Sequence, residues 1–161
     1  MNRIRSCLWY DTQAEEAAKL YVSLFPDSGI DAISRYGKEG FETHGRPAGS
    51  VMTVEFHLRG QPFMGLNGGP HFKFTEAVSF VIDCQTQDEV DHYWNGLIAN
   101  GGAPSMCGWL RDPFGLSWQV TPKILGVLMA DKDPVKAGRV MNAMLKMRKI
   151  DIAEIERAYK G

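Results

Sequence analysis

The sequence predicts an α+β fold in which one unit, a strand, a helix and three further strands, is written twice and followed by a helical extension. Three observations carry this. A hydroxyl residue followed three positions later by Glu, the capping-box pattern of a helix start, occurs at Thr12–Glu15 and again at Thr86–Glu89, each time just after a short strand-forming run. Each helical stretch gives way to short segments bounded by Gly, Pro and Asp turns. Beyond Pro122 the apolar spacing is helical throughout. A repeated order of elements constrains topology more than any one element does.

In the first copy, residues 4–10 are bulky and read as a strand. Ala14, Ala17, Ala18, Tyr21, Leu24 and Phe25 recur at helical spacing, and Pro26 and Gly29 stop the helix. Residues 30–36 are a second strand. Residues 37–50, with four glycines, read as a long loop able to close over a site. Residues 51–59 alternate: Met52, Val54, Phe56 and Leu58 point one way, Thr53, Glu55, His57 and Arg59 the other. Gly60-Gln61-Pro62 turns the chain into a fourth strand, 63–67.

In the second copy, residues 77–84 are a strand, and Val90, Tyr93, Trp94, Leu97 and Ile98 give a helix its buried face. Strands follow near 103–105, 106–111 and 116–121. Asp112-Pro-Phe-Gly115 is a tight turn between the last two, with Asp opening it and Pro presetting the next backbone angle. In the tail, a short apolar helix covers 124–129. Asp133 before Pro134 and Asp151 before Ile152 are N-caps of two more helices, whose greasy faces must pack on the sheet or on a second subunit.

The 161 residues suit a single domain, with module one at about 3–70, module two at about 76–121 and C-terminal helices at 122–161. A formal net charge of −1 gives no basic excess for nucleic acid. No apolar run reaches the roughly 18 residues a membrane helix needs. Met1 to Ser6 has no apolar core behind it of the kind a secretory signal requires. Cys7, Cys84 and Cys107 are odd in number and form no Cys-x-x-Cys pair, so reduced thiols and a cytoplasmic location are expected.

Residues 7–11 (CLWYD), 21–26 (YVSLFP), 66–70 (LNGGP), 112–120 (DPFGLSWQV) and 139–147 (RVMNAMLKM) together resemble the PhnB-like proteins of the glyoxalase, or vicinal oxygen chelate, superfamily. The resemblance runs from about residue 4 to 155. It implies paired βαβββ modules whose sheets curl around a cleft, in a homodimer. Members often carry the label 3-demethylubiquinone methyltransferase, yet the sequence holds no glycine-rich strand-to-helix turn of the kind that cradles an adenosyl cofactor.

Metal-dependent relatives place His, Gln or Glu ligands on the cleft face. Carried over, those positions fall on Ser6, on Gly65 or Asn67, on Ala77 and on Gln119. Ser and Ala cannot stand in for imidazole or carboxylate, so the resemblance implies no metal and no cofactor here. The cleft is expected to be lined by Ser6, Glu55, His57, Asn67, Ser79, Trp109 and Gln119. Glu55 and His57, two apart on one strand face, are the candidate catalytic pair; the alternative is that their face is only solvated. Cys107, on the parity of Trp109 and Arg111, reads as a small buried hydrophobe or a thiol beside a guanidinium. Three functions follow. The first is a protein binding a small molecule in a metal-free cleft. The second is a lyase, isomerase or dioxygenase-like enzyme built on Glu55 and His57. The third is a vestigial cleft in a dimer that serves a protein partner.

Overall fold

The computed structural model describes residues 4–161; the expected start of the first module at residue 3, and Met1 to Arg3 of the N-terminal reading, lie outside it. The chain divides into two compact units, Met1–Phe74 and Thr75–Gly161, taken here in turn.

Unit 1 runs β1 (Ser6–Tyr10), α1 (Ala14–Leu24), β2 (Gly29–Arg35), a one-turn helix α2 (Phe41–His44), β3 (Val51–Leu58) and β4 (Gln61–Asn67). Its sheet has the order β1-β4-β3-β2, with β1 parallel to β4 and the other pairs antiparallel. That is the βαβββ order. Alternation in β3 works as expected: Val54, Phe56 and Leu58 are buried together with Leu8, Tyr10 and Phe63. The small face of α1, Ala14, Ala17 and Ala18, packs close. A Cβ at Gly65 would stand 3.0 Å from that of Ala14, so only glycine lets the helix lie this near β4. Two local readings change. The β3–β4 turn is Arg59-Gly60, both at positive φ and closed by the pair Leu58 and Gln61, so Gln61 and Pro62 already belong to the strand. The expected loop at 37–50 contains α2, which is bracketed by left-handed Gly40 and Gly45.

Unit 2 repeats the pattern with β5 (Ser79–Cys84), α3 (Gln87–Ile98), β6 (Ala103–Pro104), β7 (Trp109–Arg111) and β8 (Ser117–Pro122), in the sheet order β5-β8-β7-β6. Val90, Tyr93, Trp94 and Leu97 of α3 are buried with Cys84, Leu110, Trp118 and Val120. The expected strand at 106–111 starts only at Trp109, because Cys107 and Gly108 turn at φ 59° and 83°.

The tail, α4 (Lys123–Met129), α5 (Pro134–Met144) and α6 (Ile152–Lys160), belongs to unit 2. Asp133 and Asp151 cap α5 and α6 as expected, accepting from Val135 N–H and Glu154 N–H at 2.9 Å each. The helices first satisfy one another: Leu125, Val140, Met147, Ile150 and Ile155 form a core of their own. Backbone bonds then dock this bundle. Cys107 N–H donates to the Met147 carbonyl at 2.8 Å and Gly108 N–H to that of Arg148 at 2.7 Å, while the Gln87 amide bridges the Ile150 carbonyl and Ile152 N–H.

Asp112 ties the hairpin together. Its buried carboxylate accepts from Phe114 N–H at 2.9 Å, Leu116 N–H at 3.0 Å and the Trp118 indole at 2.9 Å. Asp112→Ala leaves two buried donors unpaired and is expected to cost about 3 kcal/mol in urea unfolding. Asp112→Asn keeps the backbone bonds and should cost less, since only its amide opposes the indole N–H.

Candidate functional site

Each sheet has a face covered by its own helix and an opposite, open face, and this sorts the expected cleft residues. In unit 1, Ser6 shares the covered face with Leu8 and Tyr10, and its register partner is buried Phe63. Asn67 lies on the same side. The open face of β1 carries Cys7 and Trp9, one residue along from the expected register. Beside them stand Met64 and Leu66, then Thr53, Glu55 and His57 of β3. Trp9 is half-buried. Its indole donates to the Gly69 carbonyl at 2.8 Å, and its ring meets Phe72 edge-on at 4.9 Å. A Cβ at Gly68 would fall 2.2 Å from that ring.

Glu55 and His57 do share this face, yet each is tied elsewhere. Glu55 pairs with Arg5 at 3.0 Å, and His57 Nδ1 lies 2.9 Å from the Asp31 carboxylate. With Nδ1–H donated to Asp31, the ring's Nε2 is the nitrogen left to accept a proton.

In unit 2 the three expected residues do meet. Gln119 faces Trp109 in register, and its side-chain amide donates to the Ser79 hydroxyl at 2.9 Å. Gln119 thereby keeps its carbonyl oxygen as an acceptor beside an indole. Half-exposed Val81 is its register partner across β5, and Arg111 continues the same face. Ala77, the position expected opposite Gln119, precedes β5 and is exposed.

The metal positions carried over from the superfamily do not fit a divalent ion. Ser6, Gly65 and Asn67 lie on the helix-covered face, and both ends of the Asn67 amide are already bonded. Among the described residues no three His, Cys, Asp or Glu side chains converge as a ligand set. The thiols offer little nucleophile. Burial pushes Cys84 from 9.0 up to about 12, aided by the Glu89 and Asp83 charges, and desolvation raises exposed Cys7 against a smaller opposing effect of Arg5. Cys107 sits in a turn rather than on a strand beside Arg111.

Two features escaped the sequence reading. Thr12 does not cap α1. Gln13 holds the cap position without a side-chain bond, and Asn67 reaches over from β4 to accept from Ala14 N–H at 2.9 Å. Asn67 also donates to the Val51 carbonyl at 3.1 Å, and its own carbonyl accepts from the Tyr36 hydroxyl at 2.7 Å. The Thr86 box does form, with its hydroxyl accepting from Glu89 N–H. The second feature is a cavity of about 450 Å3 in unit 1, bordered by Thr12, Glu16, Lys19, Arg46, Ser50 and Asn67. Its wall at Arg46 is held by His44. The His44 ring lies tilted against Tyr36 with centroids 4.5 Å apart, and its Nδ1 accepts from Arg46 N–H at 2.9 Å. Residues more than fifty positions apart border this cavity, so no local motif announces it.

A four-stranded sheet under one helix, written twice with the same strand order, is the paired βαβββ arrangement that the sequence led one to expect. Residues 2–121 match the family described as 3-demethylubiquinone-9 3-methyltransferase, and the chain belongs to that family, the PhnB-like proteins. It is similar to a solved Bacillus cereus protein described as a 3-demethylubiquinone-9 3-methyltransferase, PhnB protein. The identity is 35% and the TM-score 0.66, over 75% of this chain and 99% of that one. It also shares its fold with protein PA1353 from Pseudomonas aeruginosa, at 18% identity and TM-score 0.59, over 76% of this chain and 98% of that one. A glyoxalase/bleomycin resistance protein from Albidiferax ferrireducens T118 matches at 16% identity and TM-score 0.45, over 72% and 93% of the two chains. None of the curated proteins compared matches the chain. The tail, including the resemblance read at 139–147, lies beyond the family match.

Asn67→Ala is expected to destabilise unit 1 by about 2–3 kcal/mol, because Ala14 N–H and the Val51 carbonyl both lose a buried partner. Thr12→Ala should change stability by less than about 0.5 kcal/mol. Urea midpoints of the two variants check the pair.

Proposed function

We propose that this PhnB-like protein binds a small organic molecule on the open face of its second sheet, without a built-in metal. The observation that supports this most directly is the trio Ser79, Gln119 and Trp109. The Gln119 amide is oriented by Ser79, its carbonyl oxygen is left to receive a donor, and the adjacent indole offers an apolar plate for a flat ring. A small group of fixed polar atoms beside an aromatic surface is the composition of a recognition site; by itself it supplies no nucleophile and no acid–base pair.

Methyl transfer forms no part of this proposal. The strand-to-helix turns, Asp11-Thr12-Gln13 and Gln85-Thr86, carry no glycine. The helix starts behind them are capped by Asn67 and Thr86, which take amides that a cofactor phosphate or carboxylate would otherwise meet.

One observation favours a second reading, an enzyme using the open face of unit 1. The Asp31–His57 pair is the orienter-and-base arrangement of general base catalysis, and Gly29 leaves room beside the ring, where a Cβ would stand 3.1 Å from His57 Cε1. Glu55 beside it is already engaged by Arg5.

Screening aromatic fragments by protein-observed NMR separates these readings. Bound fragments should shift the amides around Ser79, Trp109 and Gln119, and Trp109→Ala should weaken them about tenfold. Shifts centred on Asp31 and His57 would favour the enzyme, and fragment binding at neither face would overturn the proposal.

A homodimer in the cytoplasm belongs to the same reading. The three cysteines are unpaired, no helix among the described residues is long and apolar enough to cross a membrane, and Val135, Met141 and Leu145 leave apolar surface exposed on α5. Light scattering should return about twice the 18.0 kDa chain mass; a monomer at micromolar concentration would contradict the dimer.

A further inference from the structure

The cavity in unit 1 has a charge pattern that neither open face shares. Of its four charged lining residues, Glu15, Glu16, Lys19 and Arg46, three are neutralised in place. Lys19 closes on Glu15 at 2.7 Å, and Arg46 closes on Asp11 at 2.9 Å. The Arg46 guanidinium is also hemmed in by backbone, since a Cβ at Gly69 would lie 2.6 Å from its Nη2. Glu16 remains: it borders the cavity and makes no hydrogen bond or ion pair among the described residues. The Thr12 hydroxyl is free for the same reason that its capping box fails, because Asn67 has taken over the helix start. Ser50 donates its hydroxyl proton to the Pro47 carbonyl at 2.6 Å, which leaves its oxygen able to accept. Val51 and Pro47 supply apolar wall.

An uncompensated carboxylate, two hydroxyl oxygens able to accept and an apolar wall match one ligand chemistry. We propose that this cavity binds a small primary amine in its ammonium form. Glu16 is the counter-charge, Thr12 and Ser50 accept from the remaining N–H groups, and the carbon chain lies against Val51 and Pro47. An ammonium has three donors and no acceptor, which is the complement of these groups. A carboxylate ligand meets the opposite situation, because the two cations it would seek already hold Glu15 and Asp11. The volume, about 450 Å3, lies within the range of small-molecule pockets. This inference does not rest on the open-face reading; the two concern different surfaces and different ligand classes.

The probe is n-butylammonium chloride, titrated into 15N-labelled full-length protein, with sodium butyrate as the matched anion. Saturable shifts are expected at the amides of Thr12 to Lys19 and of Ser50 and Val51, with no comparable response to butyrate. Glu16→Gln removes a charge-assisted contact and should weaken the amine about tenfold or more. Because Glu16 is exposed and makes no bonds to the protein, that variant keeps its fold, as an otherwise unchanged amide spectrum would report. Thr12→Val should weaken binding by a smaller factor. Butyrate shifting the same amides as strongly, or butylammonium binding undiminished in Glu16→Gln, would overturn the assignment.

Discussion

A buried polar side chain must find partners for every donor and acceptor it carries, and each half of this molecule is built around one that does. In unit 1 it is Asn67. One amide, at the end of β4, holds the first turn of α1 and the first residue of β3, while the backbone carbonyl behind it receives the Tyr36 hydroxyl from the end of β2. In unit 2 it is Asp112, whose carboxylate holds the turn amides and the indole of a core tryptophan. Neither residue can be exchanged for an apolar one without stranding donors that water does not reach. The two modules share a strand order but not this device. In unit 2 the helix start is capped locally by Thr86, and the buried acid is free to organise the hairpin instead.

That difference explains which parts of the fold were legible in the sequence. Signals contained within one element read through: the alternation of Val54, Phe56 and Leu58, the helical face from Val90 to Leu97, and the Asp133 and Asp151 caps. The Thr12 and Thr86 boxes follow the same pattern, Thr-Gln-x-Glu, yet only the second forms. What separates them is a competing acceptor 53 residues downstream of Ala14, which spacing along the chain cannot reveal. The same limit applies to side-chain faces. Strand parity relates Ser6 to Leu8 and Tyr10, but whether that set lies under the helix depends on register against β4. A shift of one residue exchanges Ser6 for Cys7, and with it the covered face for the open one.

Unit 2 escaped that ambiguity because its turn fixes the register. The Asp112–Gly115 turn leaves Arg111 opposite Ser117, so Trp109 must stand opposite Gln119. Ser79, Trp109 and Gln119 therefore share one face of the sheet. Glu55 and His57 share one face as expected, but their partners, Arg5 and Asp31, came from neighbouring segments and turned a free acid–base pair into one ion pair and one hydrogen-bonded pair. Pairs this exposed add little stability. Their effect is geometric: Arg5 occupies the Glu55 carboxylate, and the Asp31 carboxylate lies against Nδ1 of the imidazole.

The helical tail follows the same reasoning about unsatisfied groups. Three-quarters of this chain accounts for 99% of the Bacillus cereus relative, and the family match stops at residue 121. The added helices do not lie across the sheet. They bury their apolar faces on one another and attach through backbone carbonyls at Met147 and Arg148, which receive the Cys107 and Gly108 amides of a turn in left-handed conformation. A turn at positive φ aims consecutive N–H groups outward, and it needs acceptors there. The tail supplies them at the end of the sheet next to Trp109, and Gly108 N–H and carbonyl then join the tail to Val120 of β8. Tail docking and the geometry of the Trp109–Gln119 face are thus linked through three consecutive residues, and loosening the tail would reach that face through the backbone rather than through any side chain.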